Sequence, residues 1–189
     1  MEKLKKKLEE IIDFDIKDID TLWSEADINS FEERNDLKLP QDYLFYLKYY
    51  GNDYIKEYYR FIPQIKLPKI IKQTQFEIDS IYGLNNDENG LDDKINCYRD
   101  ILPVDLFPIA DLPGGDLICM GKQGDKHNKI YIWFHEINGR NDFLVCNSFG
   151  EFIESFKKIN EENITQSNVK LNLSDKLNDF LNNASKNMK

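Results

Sequence analysis

The fold is decided by residues 108–135, which read PIADLPGGDLICMGKQGDKHNKIYIWFH. Turn residues bound the two apolar runs in this stretch: a Pro-Gly-Gly turn at 113–115 precedes the first, and the polar segment 121–129 separates the two. Short apolar runs bounded by Gly, Pro and polar residues are typical of neighbouring β-strands. With a third run that follows, the sequence predicts consecutive antiparallel strands over residues 117–120, 130–135 and 143–146.

Helical patterns flank these strands along the chain. In residues 4–12, Leu and Ile recur at i, i+4, i+7 and i+8, the apolar stripe of an amphipathic helix. Pro40 and Gly51 bound a further helix, and Ser148 with Glu151 forms the capping box of another, whose apolar periodicity continues to residue 156. Helices are also expected over residues 25–34 and 91–102 and after residue 174, and a weaker alternation predicts a strand over 76–81.

The composition is that of an ordinary globular chain. Of the 189 residues, 41% are hydrophobic and 31% are charged, enough for a core that needs no disulfide or metal. The expected fold class is α+β, with a mostly antiparallel central sheet flanked by helices in a single domain. This domain is expected over residues 23–158, after an N-terminal helix and acidic connector (1–22) and before a polar linker and a C-terminal helix packed on the domain (159–189).

The charge balance narrows the class of partner. The chain has 25 Lys and Arg residues against 34 Asp and Glu residues, so its net charge is −9, and the basic residues are not gathered into an arm or groove of the sequence. Nucleic-acid binding is therefore disfavoured, whereas a basic protein partner is favoured. Charges interrupt the amino-terminal segment and no apolar run approaches the roughly 20 residues of a membrane span, so we expect a cytoplasmic protein without membrane contact.

Residues capable of catalysis or metal binding are few. The chain has two histidines, His127 in a polar turn and His135 at a strand end. His135 and Glu136 could form a metal or catalytic site with Asp111 or Asp116, but no spacing makes three ligands converge. A strand-end histidine bonded to the backbone explains the same pattern, and we predict no catalytic residue, no metal and no cofactor.

Other chemical motifs have structural explanations. The loop 85–90 resembles the start of an EF-hand calcium loop, but its twelfth position is Asn96, where that loop needs Glu. The segment 121–126 resembles a phosphate-binding loop but joins two strands, which indicates a hairpin turn. The cysteines have no ligand partner nearby in the sequence and are predicted to be buried reduced thiols: Cys97, Cys119 and Cys146.

Aromatic residues leave two alternatives open. In the strand predicted over 130–135, Tyr131, Trp133 and His135 share one face, which either packs as a second core layer or forms a partly exposed recognition surface. Residues 43–59 contain seven tyrosines, more than one helix stripe can bury. Some of these tyrosines are therefore expected at the surface, where such residues are common anchors for a partner.

Four short motifs follow one another in the chain. They are Ile28-x-x-Phe31-Glu32 with Leu39-Pro40-x-Asp42-Tyr43, then Pro108-Ile109-Ala110 with Gly114-Gly115-Asp116, then Tyr131-x-Trp133-x-His135-Glu136, then Ser148-Phe149-x-Glu151-Phe152-Ile153. Taken alone, each motif consists mostly of residues that pack in a core or form turns. In this order, over residues 23–156, they resemble the SUKH superfamily, whose members include bacterial immunity proteins and the homologues of a fungal cell-wall glucan-synthesis regulator.

The resemblance implies an α+β domain without catalytic machinery that acts by binding a protein. Many bacterial members neutralise a cognate toxin, often a nuclease, in polymorphic toxin systems, and the acidic charge of this chain suits the capture of a basic nuclease. The alternative is a regulatory or scaffold module of the kind that the fungal homologues suggest. For the partner surface we predict Asp53, Tyr54, Glu57, Tyr58, Asp87, Glu88, Asp92 and Asp93, with Tyr131 and Trp133 as aromatic anchors.

Overall fold

A computed structural model describes residues 1–14, 24–51, 54–84 and 90–159. In these residues the elements follow in the order α1 (Glu2–Ile11), α2 (Glu25–Asn35), α3 (Gln41–Tyr49), β1 (Tyr59–Phe61), α4 (Leu91–Cys97), β2 (Leu106–Asp111), β3 (Leu117–Gly121), β4 (Ile130–Trp133), β5 (Asp142–Cys146), α5 (Phe149–Glu154) and β6 (Phe156–Lys158). None of the helices in this described part is long and apolar enough to cross a membrane.

The chain divides into two units, Met1–Lys158 and Ile159–Lys189. All the elements above belong to the first unit, and α1 contributes its buried leucines and isoleucines to the main core of that unit. From residue 160 onward the second unit lies outside the described residues, and so do the predicted polar linker and C-terminal helix.

The centre of the first unit is a four-stranded antiparallel sheet in the order β2-β3-β4-β5. Each strand pairs with the next along the chain, with Leu117 opposite Trp133 and Ile132 opposite Phe143. A second sheet has two strands, β1 and β6, in which Phe61 lies opposite Phe156. The predicted α+β class and the three predicted antiparallel strands are confirmed, except that β4 ends at Trp133 and not at residue 135. Strand β2 adds a fourth strand to the same sheet.

Side chains alternate between the two faces of the central sheet, as the strand period requires. One face joins the main core, together with buried residues of α1, α2, α3 and α5, and contributes Ile118, Met120, Ile130 and Ile132. The other face forms a second cluster with Leu102 and Leu106, and contributes Leu117, Cys119, Tyr131 and Trp133. Of the two alternatives for Tyr131 and Trp133, the structure shows the second core layer.

Two carboxylates of the first motif join helices to one another. Asp42 accepts hydrogen bonds from the backbone N–H groups of Tyr43 at 2.9 Å and Gly150 at 2.7 Å, so it connects the start of α3 to the start of α5. Glu32 is 6% exposed and accepts from the N–H of Leu39 at 2.8 Å, which fixes the loop between α2 and α3. These motif residues therefore have structural roles.

The connection between β3 and β4 packs closely against the strand that it leaves. A Cβ atom at Gly121 would lie 1.9 Å from the carbonyl oxygen of Lys126, so the backbone approach requires glycine. Lys126 belongs to a short 3-10 turn, and its ammonium pairs with Asp105 at 3.1 Å and Asp142 at 2.8 Å. The predicted hairpin turn is confirmed.

The helix predicted to continue to residue 156 ends at Glu154 instead. Phe156 lies in β6 opposite Phe61, and the two ring centroids are 6.0 Å apart. At the end of α5 the Ser155 hydroxyl donates to the carbonyl of Phe152 at 2.6 Å. Phe156 is buried as its apolar periodicity suggested, but pairing with β1 places it in a strand, because tertiary pairing outweighs the local helical pattern.

The strand predicted over 76–81 is also wrong as a continuous element. In the described residues this segment makes single antiparallel bridges, Phe76 with Phe61 and Ser80 with Tyr54. A longer ladder does not form because β1, the neighbouring strand, spans three residues. Phe76, Ile78 and Ile81 are all buried, but burial alternates only over residues 76–79, since residues 81–84 are all buried.

Helix α4 is shorter than the helix expected over 91–102. It ends at Cys97, and residues 98–102 form turns ahead of Pro103, which disfavours a helical residue before it. Cys97 is exposed, contrary to the prediction, because it lies two positions after the buried Ile95 and so on another side of the helix. The predicted burial of Cys119 and Cys146 is confirmed.

Candidate functional site

Three of the residues predicted to bind a partner lie around one groove. Tyr54, Glu57 and Tyr58 line a surface groove of about 530 Å³. We call it the tyrosine groove, and its other lining residues are Asp13, Ile55, Lys56, Arg60, Glu77, Ile78 and Asp79. Tyr54 is 47% exposed, so its side chain is accessible from solvent.

Separate segments of the chain build the floor of the tyrosine groove. The backbone at Tyr54 and Ile55 is bonded on both sides: Asp13 N–H donates to the carbonyl of Tyr54 at 2.9 Å, and Ile55 N–H donates to the carbonyl of Asp79 at 2.7 Å. Ile55 and Ile78 are buried beneath. Because side chains alternate along extended segments, the neighbouring polar side chains face solvent.

The two cations of the tyrosine groove already have partners, whereas two of its carboxylates do not. Lys56 Nζ donates to a backbone carbonyl of α1 at 2.8 Å, and Arg60 pairs with Glu77 at 3.1 Å. Both Glu57 and Asp79 are exposed, and neither carboxylate makes a hydrogen bond or ion pair to the described residues. The groove therefore presents negative charge that is free to meet a cation from a partner.

The Tyr58 ring is held at one end of the groove. The centroids of the Tyr58 and Tyr59 rings are 5.2 Å apart. Lys158 Nζ lies 4.8 Å from the centroid of the Tyr58 ring and makes a cation–π contact with it. Tyr59 donates its hydroxyl hydrogen to Glu10 at 3.0 Å, and burial, followed by this hydrogen bond, raises the pKa of Tyr59 to about 12. Tyr59 thus stays a neutral donor at physiological pH and keeps its position beside Tyr58.

The acidic residues predicted from α4 lie away from the tyrosine groove. Asp92 accepts from the Arg34 guanidinium at 2.7 Å and from the Asn35 amide at 2.8 Å, so it joins α4 to α2. Asp93 is exposed in the first turn of the same helix. Neither lines the groove. Three further predicted residues lie outside the described residues: Asp53, Asp87 and Glu88.

The two predicted aromatic anchors are packed into the second core cluster. Tyr131 and Trp133 are each 6% exposed. Lys126 Nζ lies 5.4 Å from the Tyr131 ring centroid, and the His135 ring centroid lies 6.5 Å from that of Trp133. The packing gives both residues a structural role, and their role in partner binding stays a prediction.

The residues considered for metal binding or catalysis form a pair. Asp116 Oδ1 lies 2.8 Å from His135 Nδ1 and accepts the His135 backbone N–H at 3.0 Å. Glu136 is 3.8 Å from the other ring nitrogen and is 86% exposed. The described ranges hold no group of three His, Cys, Asp or Glu side chains arranged for a metal ion. The Asp116–His135 pair links the residue before β3 to the turn that follows β4.

Sequence reasoning missed Glu77 and Asp79 as parts of the candidate surface. The signal was present, since the alternation that places Phe76 and Ile78 inward also places residues 77 and 79 outward. What the sequence did not indicate is that this segment pairs with the backbone at Tyr54 and Ile55.

Comparison with known proteins adds a family to this geometry. The family model described as SMI1 / KNR4 family (SUKH-1) matches residues 23–155, a range that includes all four motifs and every lining residue of the tyrosine groove except Asp13. The SPbeta prophage-derived uncharacterized protein YokK of Bacillus subtilis (strain 168) is 35% identical over 146 residues, which cover 68% of this chain and 74% of the relative.

Proposed function

Because the chain belongs to the SMI1/KNR4 (SUKH-1) family, we propose that it is an immunity protein that binds and neutralises a cognate protein toxin. The family includes immunity proteins, and its members are generally non-catalytic. The match over residues 23–155 is the observation that carries the proposal. Neutralisation then depends on a stable interface that covers the working surface of the toxin.

The charge of the chain supports a basic toxin, and a nuclease in particular. A nuclease must attract phosphate groups to its substrate groove, so that groove carries positive charge. A net charge of −9 favours and speeds the approach of such a partner. By covering the substrate groove of the nuclease, or a surface next to that groove, the protein would exclude the nucleic acid without any chemical step.

For the docking surface we propose the tyrosine groove. Its free carboxylates, Glu57 and Asp79, suit Lys or Arg side chains of the toxin, and the exposed ring of Tyr54 supplies apolar contact area. The Tyr58 ring, held in place by its cation–π contact with Lys158, adds aromatic area to the lining of the groove. Asp53, which precedes Tyr54 in the sequence, stays a predicted member of the partner surface.

Capture followed by inhibition tests the proposed function. The tagged full-length protein is used to capture partners from lysate and secreted protein of its source organism at low and moderate salt, with identification by mass spectrometry. We expect one basic polypeptide in equimolar amount, whose activity, assayed on DNA and RNA, is abolished by the protein. Recovery of several resident proteins and no toxin would contradict immunity and favour the regulatory or scaffold role.

Two matched variants test the docking surface separately. The double substitution Glu57→Gln and Asp79→Asn removes both free carboxylates of the tyrosine groove. The control, Asp100→Asn with Asp125→Asn, removes the same charge from exposed positions that do not line it. We expect slower association and a weaker salt dependence for the groove variant alone. Equal association rates for the two variants would exclude the groove as the interface and leave the immunity role standing.

A further inference from the structure

A second cavity differs from the tyrosine groove in the sign of its charge. It has a volume of about 250 Å³ and lies between the C-terminal end of α2, the segment that follows α4 and the residue after β3. Three cations and one carboxylate line it: Arg34, Arg99, Lys122 and Asp36. We call it the cationic pocket. Such a surplus of positive charge contrasts with the net charge of −9 of the whole chain.

Two of the three cations form no ion pair with a carboxylate of the described residues. Arg34 donates to the carboxylate of Asp92 at 2.7 Å, so its charge is balanced. Arg99 donates to the neutral amide oxygen of Asn96 at 2.5 Å. The ammonium group of Lys122 makes no hydrogen bond or ion pair within residues 1–14, 24–51, 54–84 and 90–159. The cationic pocket therefore has two positive groups available to a ligand.

These two groups act on each other across the cavity. Partial burial and the positive charge of Arg99 both lower the pKa of Lys122, and the carboxylate of Asp36 opposes them. Burial disfavours a charged group that lacks a partner, and a like charge nearby disfavours it further. An anion bound between Arg99 and Lys122 relieves both effects and accepts charge-assisted hydrogen bonds from each.

Apart from Asn35, the remaining residues that line the cationic pocket are apolar or aromatic. Tyr98, Leu102 and Val104 are among them, and Leu102 is itself buried in the second core cluster. Val104 is 84% exposed, so its aliphatic side chain is accessible from solvent as well as from the cavity. Positive groups beside an apolar wall fit a ligand that has an anionic head and a short apolar chain.

We propose that the cationic pocket binds a small organic anion, with its carboxylate or phosphate group between Arg99 and Lys122 and its apolar chain against Leu102 and Val104. The pocket shares no lining residue with the tyrosine groove. The proposal is thus independent of the immunity role and adds a binding site to the chain.

A titration followed by NMR tests this site. The ¹⁵N-labelled full-length protein is titrated with 3-methylbutanoate and with its neutral counterpart of the same shape, 3-methylbutanamide. For the acid we expect saturable shifts at the amides of Arg99, Val104 and Lys122, with a Kd of about 1 to 10 mM for a ligand of this size. For the amide we expect a Kd at least about tenfold higher. A third titration uses 2-methylpropyl phosphate. Comparing its Kd with that of 3-methylbutanoate shows whether the pocket prefers a phosphate or a carboxylate.

Matched lysine variants assign the effect to the pocket. Lys122→Met keeps the aliphatic stem and removes the charge, whereas Lys129→Met removes the same charge from a residue that does not line the cavity. We expect the first to raise the Kd by at least about tenfold and the second by less than about twofold. Arg99→Gln, at an exposed position, repeats the test if Lys122→Met disturbs folding. Equal affinity for acid and amide, shifts that never saturate, or binding unaffected by Lys122→Met and Arg99→Gln would each overturn the proposal.

Discussion

At the scale of single residues, Asp42 shows how a motif residue acts through hydrogen bonds. Its carboxylate accepts from the N–H of Gly150, one of the first N–H groups of α5, which have no partner within their own helix. Replacing Asp42 with Ala leaves this part-buried donor unpaired. We expect the free energy of unfolding to fall by about 1–2 kcal/mol, measured by urea denaturation.

The control for this measurement is Asp100→Ala, at an exposed residue in the turn after α4. A surface substitution of this kind changes the free energy of unfolding by less than about 0.5 kcal/mol. If Asp42→Ala cost no more than Asp100→Ala, the link between α3 and α5 would not contribute to stability.

The three cysteines differ in burial and therefore in reactivity. Burial raises the pKa of the Cys146 thiol to about 12 and also raises that of Cys119, so both stay protonated and unreactive at pH 8. Cys97 is exposed. We expect a disulfide reagent such as DTNB to modify one thiol rapidly in the native protein and three after unfolding, and Cys97→Ser to abolish the rapid phase. Two or three rapid thiols in the native protein would contradict the burial of Cys119 and Cys146.

At the scale of elements, the connection between β3 and β4 depends on a close backbone approach. A side chain at Gly121 would collide with the carbonyl of Lys126, whereas a Cβ at Gly124, which has a φ of +60°, would meet no atom within 4 Å. We expect Gly121→Ala to lower the free energy of unfolding by about 2–3 kcal/mol and Gly124→Ala by about 1 kcal/mol. Thermal or urea unfolding measures both, and equal costs would show that the connection shifts freely.

Elements whose signals are local could be predicted from the sequence, and those that depend on distant partners could not. Alternating apolar residues and turn residues are sufficient to predict β3, β4 and β5. The four ordered motifs are sufficient to predict the family. Phe156 has a helical spacing from Phe149 and Phe152, yet it pairs with Phe61, a partner remote in the chain. The same reason applies to the tyrosine groove: Tyr54, Glu57 and Tyr58 were identified from local composition, but Asp79 joins them only through the fold.

At the scale of the whole molecule, the proposed function depends on where the acidic charge lies. The sequence predicts a second acidic patch around residues 87–93, but Asp92 is bound to Arg34 and Asn35 and holds α4 to α2. The patch is therefore best tested with Asp87→Asn, Glu88→Gln and Asp93→Asn, which leave Asp92 intact. We expect slower toxin association and a weaker dependence on salt, measured by stopped flow. Unchanged rates would remove this patch from the interface.

The most direct test of the immunity role is to titrate the captured toxin with the purified protein and measure the toxin's remaining activity. We expect activity to fall linearly and to reach zero at one molecule of the protein per toxin. The groove variant Glu57→Gln with Asp79→Asn should require an excess for the same effect, because slower association lowers its affinity for the toxin. Full toxin activity in the presence of excess wild-type protein would contradict the account.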